Sequence, residues 1–286
     1  MPSPTARLGP YALTAVSDGT FKLDGGAMFG IVPKPMWEKV CPPDEQNRIV
    51  LGLNCLLIQG HGHNVLVDAG VGTKWSAKEA DRFAVDHRQA ELVRSLAAAG
   101  LQRSDIDIVI CTHLHFDHVG GCTVLDAQGD PVPTFPEAVH WVRRDEWEWA
   151  NAPNDRVAGS YRPENFVPIQ EAGLFRFSDA DHEVIPGVFT QLVGGHTPFL
   201  DLVRLHGGGT TALFLADLIP MTAHLHYPWN MGYDLDPVTL VERKKEIEPK
   251  AAAEGWLMVF EHDPHLPFAR LQPSGQGRYG AVPWAG

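Results

Sequence analysis

The 286-residue sequence predicts an α/β fold in which two β-sheets pack face to face with helices on the outside. Two observations carry that expectation. A set of strands followed by a helix occurs in each half of the chain, and no Ser/Gly-rich or charged linker divides the halves, so one domain over 1–286 is expected. Hydrophobic residues make up 44% and charged residues 20% of the chain, which suits a water-soluble protein with a substantial core. The 28 Gly and 23 Pro imply many turns, and loops on a rigid scaffold are where enzymes place their chemistry.

Taken in order, Tyr11–Val16 alternates weakly and reads as a first strand. Residues 18–48 are rich in Gly and Pro but carry Met28, Phe29 and Trp37, so this long irregular segment is read as functional rather than disordered. Asn54–Gln59 and Asn64–Asp68 read as strands joined by the turn Gly60–His63. Gln89–Ala99 is an amphipathic helix, with Leu92, Val93, Leu96 and Ala99 on one face and Gly100 as its stop. Ile106–Cys111 is a short apolar run of the kind that forms a buried strand, Ala138–Val142 is another, and Arg144–Ala150 reads as helical. The second half repeats the logic with strands at Val188–Val193, Leu202–Leu205 and Thr211–Ala216. A helix over Pro237–Ala253 follows, with Asp236 as N-cap and Pro in the first turn. A last strand covers Trp256–Phe260.

The net charge of −12 opposes a phosphate backbone, so nucleic acid is not the expected partner. The densest cationic stretch, Glu242–Glu246, reads as a solvated helix face. The N-terminus lacks a charged n-region followed by an apolar h-region, and no apolar run nears the length of a membrane span. A cytoplasmic protein with no membrane partner is expected. Cys41, Cys55, Cys111 and Cys122 form no CxxC pair and are expected to be free thiols.

The strongest signal is Thr112–Gly121, reading THLHFDHVGG. Three imidazoles and a carboxylate fall at the mouth of an apolar strand. At i, i+2 in extended backbone, His113 and His115 project to one side and can grip one ion, while Asp117 and His118 lie past the turn and can face a second. Cations such as zinc take imidazole and carboxylate together. Gly120 and Gly121 relieve crowding where the chain turns. A lone His is ordinarily a surface or packed residue; four such groups in this register point to metal. Further ligands should come from other strand ends, and three residues stand there: His196 after the 188–193 strand, Asp217 after Ala216, and His262 after Phe260. His265 competes with His262 but lies farther from its strand. His224 and His226 share the i, i+2 spacing but lack a neighbouring carboxylate in register.

The HxHxDH run of His113, His115, Asp117 and His118 resembles the signature of the metallo-β-lactamase superfamily. The resemblance covers Asn54 to His262 and implies an αββα sandwich with a dinuclear site at one edge of the paired sheets. It further implies that His113, His115 and His196 hold one divalent ion, that Asp117, His118 and His262 hold the other, and that Asp217 bridges them. Zinc is the first expectation for both ions, with Mn, Fe or Co as alternatives. Such a site activates a bridging water against a carbonyl or phosphoryl centre, with Asp117 and Asp217 as catalytic residues and Asp117 receiving the proton.

Among branches, the run is most similar to N-acyl homoserine lactone lactonases and methyl parathion-type hydrolases. The expected function is hydrolysis of an ester or lactone of a small acyl compound, with phosphotriesters as a side activity. The alternatives are a thioester hydrolase, a phosphodiesterase, or a metal-binding ligand sensor without turnover. The sequence departs from the lactonases at Phe199–Asp201, where they continue Gly-His. It departs again after Asp217, where Leu218–Met221 lacks their tyrosine; Tyr233 is the candidate replacement. Met28, Phe29, Trp37, His224, Trp229 and Tyr233 are the expected pocket wall, and the apolar loops make a homodimer an expectation.

Overall fold

The computed structural model describes residues 3–285; Met1, Pro2 and Gly286 of the expected 1–286 domain lie outside them. The first sheet contains β1 (Thr5–Leu8), β2 (Tyr11–Asp24), β3 (Arg48–Gly60), β4 (His63–Val67) and β5 (Ile108–Ile110). Beyond a two-stranded ribbon of β6 (Thr123–Leu125) and β7 (Pro131–Pro133), it is completed by β8 (Val139–Arg143) and β9 (Phe175–Ser178). Its order is β1-β2-β3-β4-β5-β8-β9, antiparallel up to β4 and parallel from there on.

The second sheet runs in chain order through β10 (His182–Ile185), β11 (Val188–Leu192), β12 (Asp201–Gly207), β13 (Thr210–Phe214), β14 (Leu257–Val259), β15 (Phe268–Gly275) and β16 (Arg278–Pro283). Only β13 and β14 pair in parallel there. The helices are α1 (Gly25–Phe29), α2 (Lys34–Trp37), α3 (Ala77–Arg82), α4 (Leu92–Ala98), α5 (Phe116–Val119), α6 (Arg144–Asn151), α7 (Val167–Glu171) and α8 (Pro237–Glu254).

The period-2 alternation of β3 and β4 sorts the core into layers. Leu56, Ile58, Val65 and Val67 join Val203, Leu205, Phe214 and Val259 between the sheets. Cys55, Leu57 and Leu66 face the other way, onto Leu92 and Leu96 of α4 and Ile169 of α7. Burying each such aliphatic side chain contributes about 1.5–3 kcal/mol, which is why register is so well determined here. On the second sheet, Leu240 and Ala251 of α8 close the same central core. The result is the expected four-layer order of helix, sheet, sheet and helix.

The 18–48 segment is more ordered than its composition suggests. β2 runs on to Asp24 and pairs with β3 down to Asp24–Arg48, with one irregularity between Ser17 and Thr20. The Asp24 carboxylate then caps α1 by accepting from the Ala27 N–H at 2.9 Å. Hydrogen bonds from a partner strand override weak local propensity, and no window of sequence shows the partner. Glu242–Glu246 also departs from expectation. Lys244 turns inward from α8 and donates to the Trp229 carbonyl at 2.8 Å and Asn230 Oδ1 at 2.7 Å. It is 1% exposed, and burial pushes its ammonium down to about 8. Lys244→Ala should lower unfolding free energy by about 2 kcal/mol or more, because a buried carbonyl loses its donor; urea unfolding measures it.

His140 on β8 supplies a pH dependence. It is buried, its Nδ1–H donates to the Ala138 carbonyl at 3.1 Å, and burial pushes the ring down to about 4. The unfolded chain then binds a proton that the fold refuses between about pH 6.5 and 4. Stability from this group is complete above pH 6.5 and lost as pH falls through that window, up to about 3 kcal/mol. His140→Phe should flatten the stability–pH curve there, read by thermal unfolding at half-unit steps. Among the described residues, no helix is long and apolar enough to cross a membrane. All four cysteines are free, with Cys55, Cys111 and Cys122 buried.

Candidate metal centre

β5 ends at Ile110, and the chain passes through Thr112 to His113 and His115 in extended backbone before the single turn of α5 lifts Asp117 and His118. The turn is possible only with glycine behind it. A Cβ on Gly120 would lie 2.1 Å from the Val71 carbonyl oxygen, and one on Gly121 2.1 Å from that of Ala69. Close backbone approach, rather than turn conformation, is thus what these two glycines serve. His196 follows β11, Asp217 sits in a short helical turn after β13, and His262 follows β14. Strand ends from both sheets therefore meet at one edge.

There His113, His115, His196 and Asp217 each offer a ligand atom within 4.8 Å of the others, and Asp117, His118 and His262 do the same beside them. Asp217 touches both groups: Oδ2 lies 3.0 Å from His196 Nε2 and 3.6 Å from His118 Nε2, and Oδ1 lies 3.2 Å from His262 Nε2. All seven residues are buried, 7% exposed or less. His265, by contrast, is not among them.

The surroundings hold these rings in one tautomer and direction. His196 Nδ1–H donates to Asp234 at 2.8 Å, and His262 Nδ1–H to the Gly52 carbonyl at 2.9 Å. His118 Nδ1 faces Asp68 at 3.0 Å and Glu261 at 2.9 Å. Asp68 also receives the Thr112 N–H and hydroxyl, so one carboxylate braces the start of the motif and its last histidine. Behind the first group, the wholly buried Glu146 of α6 accepts from the Leu114 N–H, the Tyr161 hydroxyl and the Thr197 hydroxyl.

Inward, the donor atoms meet one another rather than partners. His115 Nδ1 lies 3.0 Å from His196 Nε2, and His118 Nε2 lies 3.3 Å from His262 Nε2. His113 Nε2 is buried with no partner among the described residues. Burial holds His113 and His115 well below the ordinary imidazole value, with the neighbouring histidines adding to the effect. At His196 and His262 burial acts the same way but is outweighed by the Asp217 carboxylate, which pushes them up to about 10 and about 9. Asp217 is in turn held well below the carboxylate range, burial being overcome by His196, His118 and His262. Lone pairs that converge without donors, beside carboxylates that demand positive charge, fit two divalent cations.

A cavity of about 260 Å³ opens onto this cluster. His115, Asp117, His196, Asp217 and His262 form its floor, with Leu23, Met28, Leu51, Phe83, Phe116 and Met231 as apolar wall, and Arg156, Ser160 and Tyr233 beside them. Of the six expected wall residues, Met28 and Tyr233 line this cavity. Phe29, Trp37 and His224 do not: Phe29 stacks on Trp37 and on His224, whose Nε2–H donates to the Met28 carbonyl, and all three are buried packing. Trp229 packs edge-on to Phe29 and lines a separate cleft with Cys41 and His265. The first departure from the lactonase pattern also has a structural use, since Asp201 forms a buried ion pair with Arg143 at 2.7 Å.

Asp68, Glu261, Asp234 and Glu146 escaped the sequence reading. Asp68 and Glu261 do carry the signal that found the ligands, a polar residue directly after an apolar strand. Asp234 and Glu146 carry none, because their partners lie 38 and 51 residues away in the chain.

A family model described as the Metallo-beta-lactamase superfamily matches residues 48–262. The chain is 28% identical over 181 residues to the N-acyl homoserine lactonase AttM of Azorhizobium caulinodans, covering 60% of this chain and 64% of that one, less than two thirds of the lactonase's length. It is 29% identical over 196 residues to the AttM of Agrobacterium fabrum, covering 66% and 67%. Among solved structures, a probable metal-dependent hydrolase from Staphylococcus aureus is similar over 98% of this chain and 99% of its own, with 31% identity and a TM-score of 0.88. AidC, described as a dizinc quorum-quenching lactonase, shares the fold at 21% identity, 99% and 98% coverage and a TM-score of 0.79. The family model spans the first motif and all three later strand-end residues, and the chain belongs to the metallo-beta-lactamase superfamily.

Proposed function

We propose that this protein is a dinuclear-metal hydrolase that opens an ester or lactone of a small acyl compound. The observation that carries the reading is the cavity whose floor is five of the seven candidate ligands, His115, Asp117, His196, Asp217 and His262, beneath an apolar wall. His113, His115 and His196 would hold one cation, Asp117, His118 and His262 the other, with Asp217 shared between them. When bound, the cations supply Lewis acidity toward a carbonyl oxygen and an acidified water; zinc suits the donors, as do Mn, Fe and Co. Asp117 has no hydrogen-bond partner among the described residues and faces the cavity, so its carboxylate is free to take the water's proton and return it to the leaving alkoxide. Leu23, Met28, Leu51, Phe116 and Met231 seat the acyl group and exclude bulk water. Tyr233 lines the same cavity, and in this reading its phenol donates to the substrate carbonyl in place of the tyrosine missing after Asp217.

The curated relatives support the branch: the two AttM proteins named above are N-acyl homoserine lactonases. The test is metal analysis of protein purified without added metal, run beside a panel of lactones, esters, thioesters, phosphodiesters and phosphotriesters with and without chelator. About two equivalents of metal, with lactone or ester turnover abolished by chelation, are expected. Faster turnover of a thioester or phosphodiester would transfer the assignment to that class. Two metals with no turnover anywhere on the panel would favour a ligand sensor.

A further inference from the structure

One half of the metal centre draws on two stretches of the chain, His113 and His115 after β5 and His196 after β11, and one buried carboxylate joins them. Glu146 Oε1 accepts from the Leu114 N–H at 3.1 Å, between His113 and His115, and from the Tyr161 hydroxyl at 3.1 Å. Tyr161 in turn packs its ring on His115 at 4.7 Å and pairs with it by a backbone bridge. Glu146 Oε2 accepts from the Thr197 hydroxyl at 2.9 Å, one residue beyond His196. None of these contacts reaches Asp117, His118 or His262; His118 is held by Asp68 and Glu261, and His262 by the Gly52 carbonyl. Asp68 serves both halves, bracing His118 directly and His113 through Thr112, whereas the Glu146 contacts stay with the first half.

We infer that Glu146 is a positioning residue for the His113–His115–His196 half alone, and that its loss converts a two-ion protein into one that holds a single ion firmly. This rests on the metal reading above. The physical reason is that a buried acceptor with three donors fixes the backbone at Leu114 and the loop at Thr197 together. Without it, the histidine nitrogens lose their common focus, while the other half keeps its own braces. Changing such an outer contact typically costs about 10–100-fold in metal affinity.

The test is stepwise Zn²⁺ titration of the apo-protein against a competing chelator, giving two dissociation constants, with Co²⁺ absorption as a second readout. In Glu146→Ala, one constant should weaken by about 10–100-fold and the other stay within about threefold. Glu146→Gln should recover most of the loss, because its carbonyl can take the Leu114 and Tyr161 donors while its amide donates to Thr197 Oγ1. Tyr161→Phe and Thr197→Val each remove one tie and should give smaller losses at the same ion; they carry the test if Glu146→Ala fails to fold. In a His196→Ala background Glu146→Ala should have no further effect on the remaining ion, whereas in His118→Ala it should keep its full effect. Two ions in the unmodified protein, with both constants unchanged or both weakened alike in Glu146→Ala, would overturn the role of Glu146. No ion in the unmodified protein would instead overturn the metal reading.

Discussion

Asp117→Asn is expected to lower kcat on the best substrate of the panel by about 10²–10⁴-fold, the range that a positioned proton acceptor contributes. The change is nearly isosteric and leaves an amide oxygen where a carboxylate oxygen stood. Its effect on the fold should be small: Asp117 has no hydrogen-bonding partner among the described residues, and the imidazoles beside it, His262 Nε2 at 3.7 Å and His118 Nε2 at 4.0 Å, are beyond hydrogen-bond reach. Circular dichroism should therefore match the unmodified protein and, because the Asn amide oxygen can still ligate, metal content should stay near two equivalents while turnover collapses and KM changes little. That combination identifies a group acting in the transition state. A loss of one metal equivalent with the same drop in kcat would reassign Asp117 to ligation alone. Turnover within a few fold of the unmodified enzyme would remove it from the chemistry.

Metal removal should produce the second large effect, on stability rather than rate. Each ion that binds only the folded state stabilises it by about 4 kcal/mol when free metal is 1,000-fold above Kd. Two ions at one edge of the paired sheets should together raise Tm by roughly 10 °C or more for a chain of this size. The structure shows where the apo-protein is less stable. Among the described residues, Asp217 Oδ1 and the Nε2 atoms of His113 and His115 are buried without hydrogen-bond partners, just past the ends of β5 and β13. Differential scanning calorimetry before and after dialysis against chelator measures the shift, and added Zn²⁺ should restore it. A Tm unmoved by either treatment would mean that the cluster holds itself together by hydrogen bonding and is not a metal centre.

How much of this was legible beforehand depends on the range of the interactions concerned. HxHxDH lies within six residues, so ligand spacing, strand exit and turn are all local, and His113, His115, Asp117 and His118 could be read directly. His196, Asp217 and His262 were found by a weaker rule, that polar residues ending apolar strands gather at a shared sheet edge; the sheets do bring them to the cluster. The same rule applied evenly would have reached Asp68 and Glu261. It could not have reached Asp234 or Glu146, which are ordinary loop and helix residues until the fold sets them against His196 and Thr197.

The pocket wall shows the limit most clearly. Met28, Phe29 and Trp37 share a composition that reads equally as lining or as core, and only packing separates them. One turn of α1 leaves Met28 on the cavity and commits Phe29 to its stack with Trp37 and His224. Lys244 is the converse, a charged residue in a charged run whose partner carbonyl at Trp229 is contributed from another segment. Hydrophobic period and motif spacing are short-range properties of the chain, so most strand and helix positions and the seven candidate ligands could be read from the sequence and its resemblance to the superfamily. Only the packed fold shows which carboxylates brace those candidate ligands, which apolar residues face the cavity, and that Glu146 ties Leu114 to Thr197. Those are matters of side-chain geometry between segments distant in sequence, which burial and hydrogen-bond satisfaction settle only once the sheets have packed.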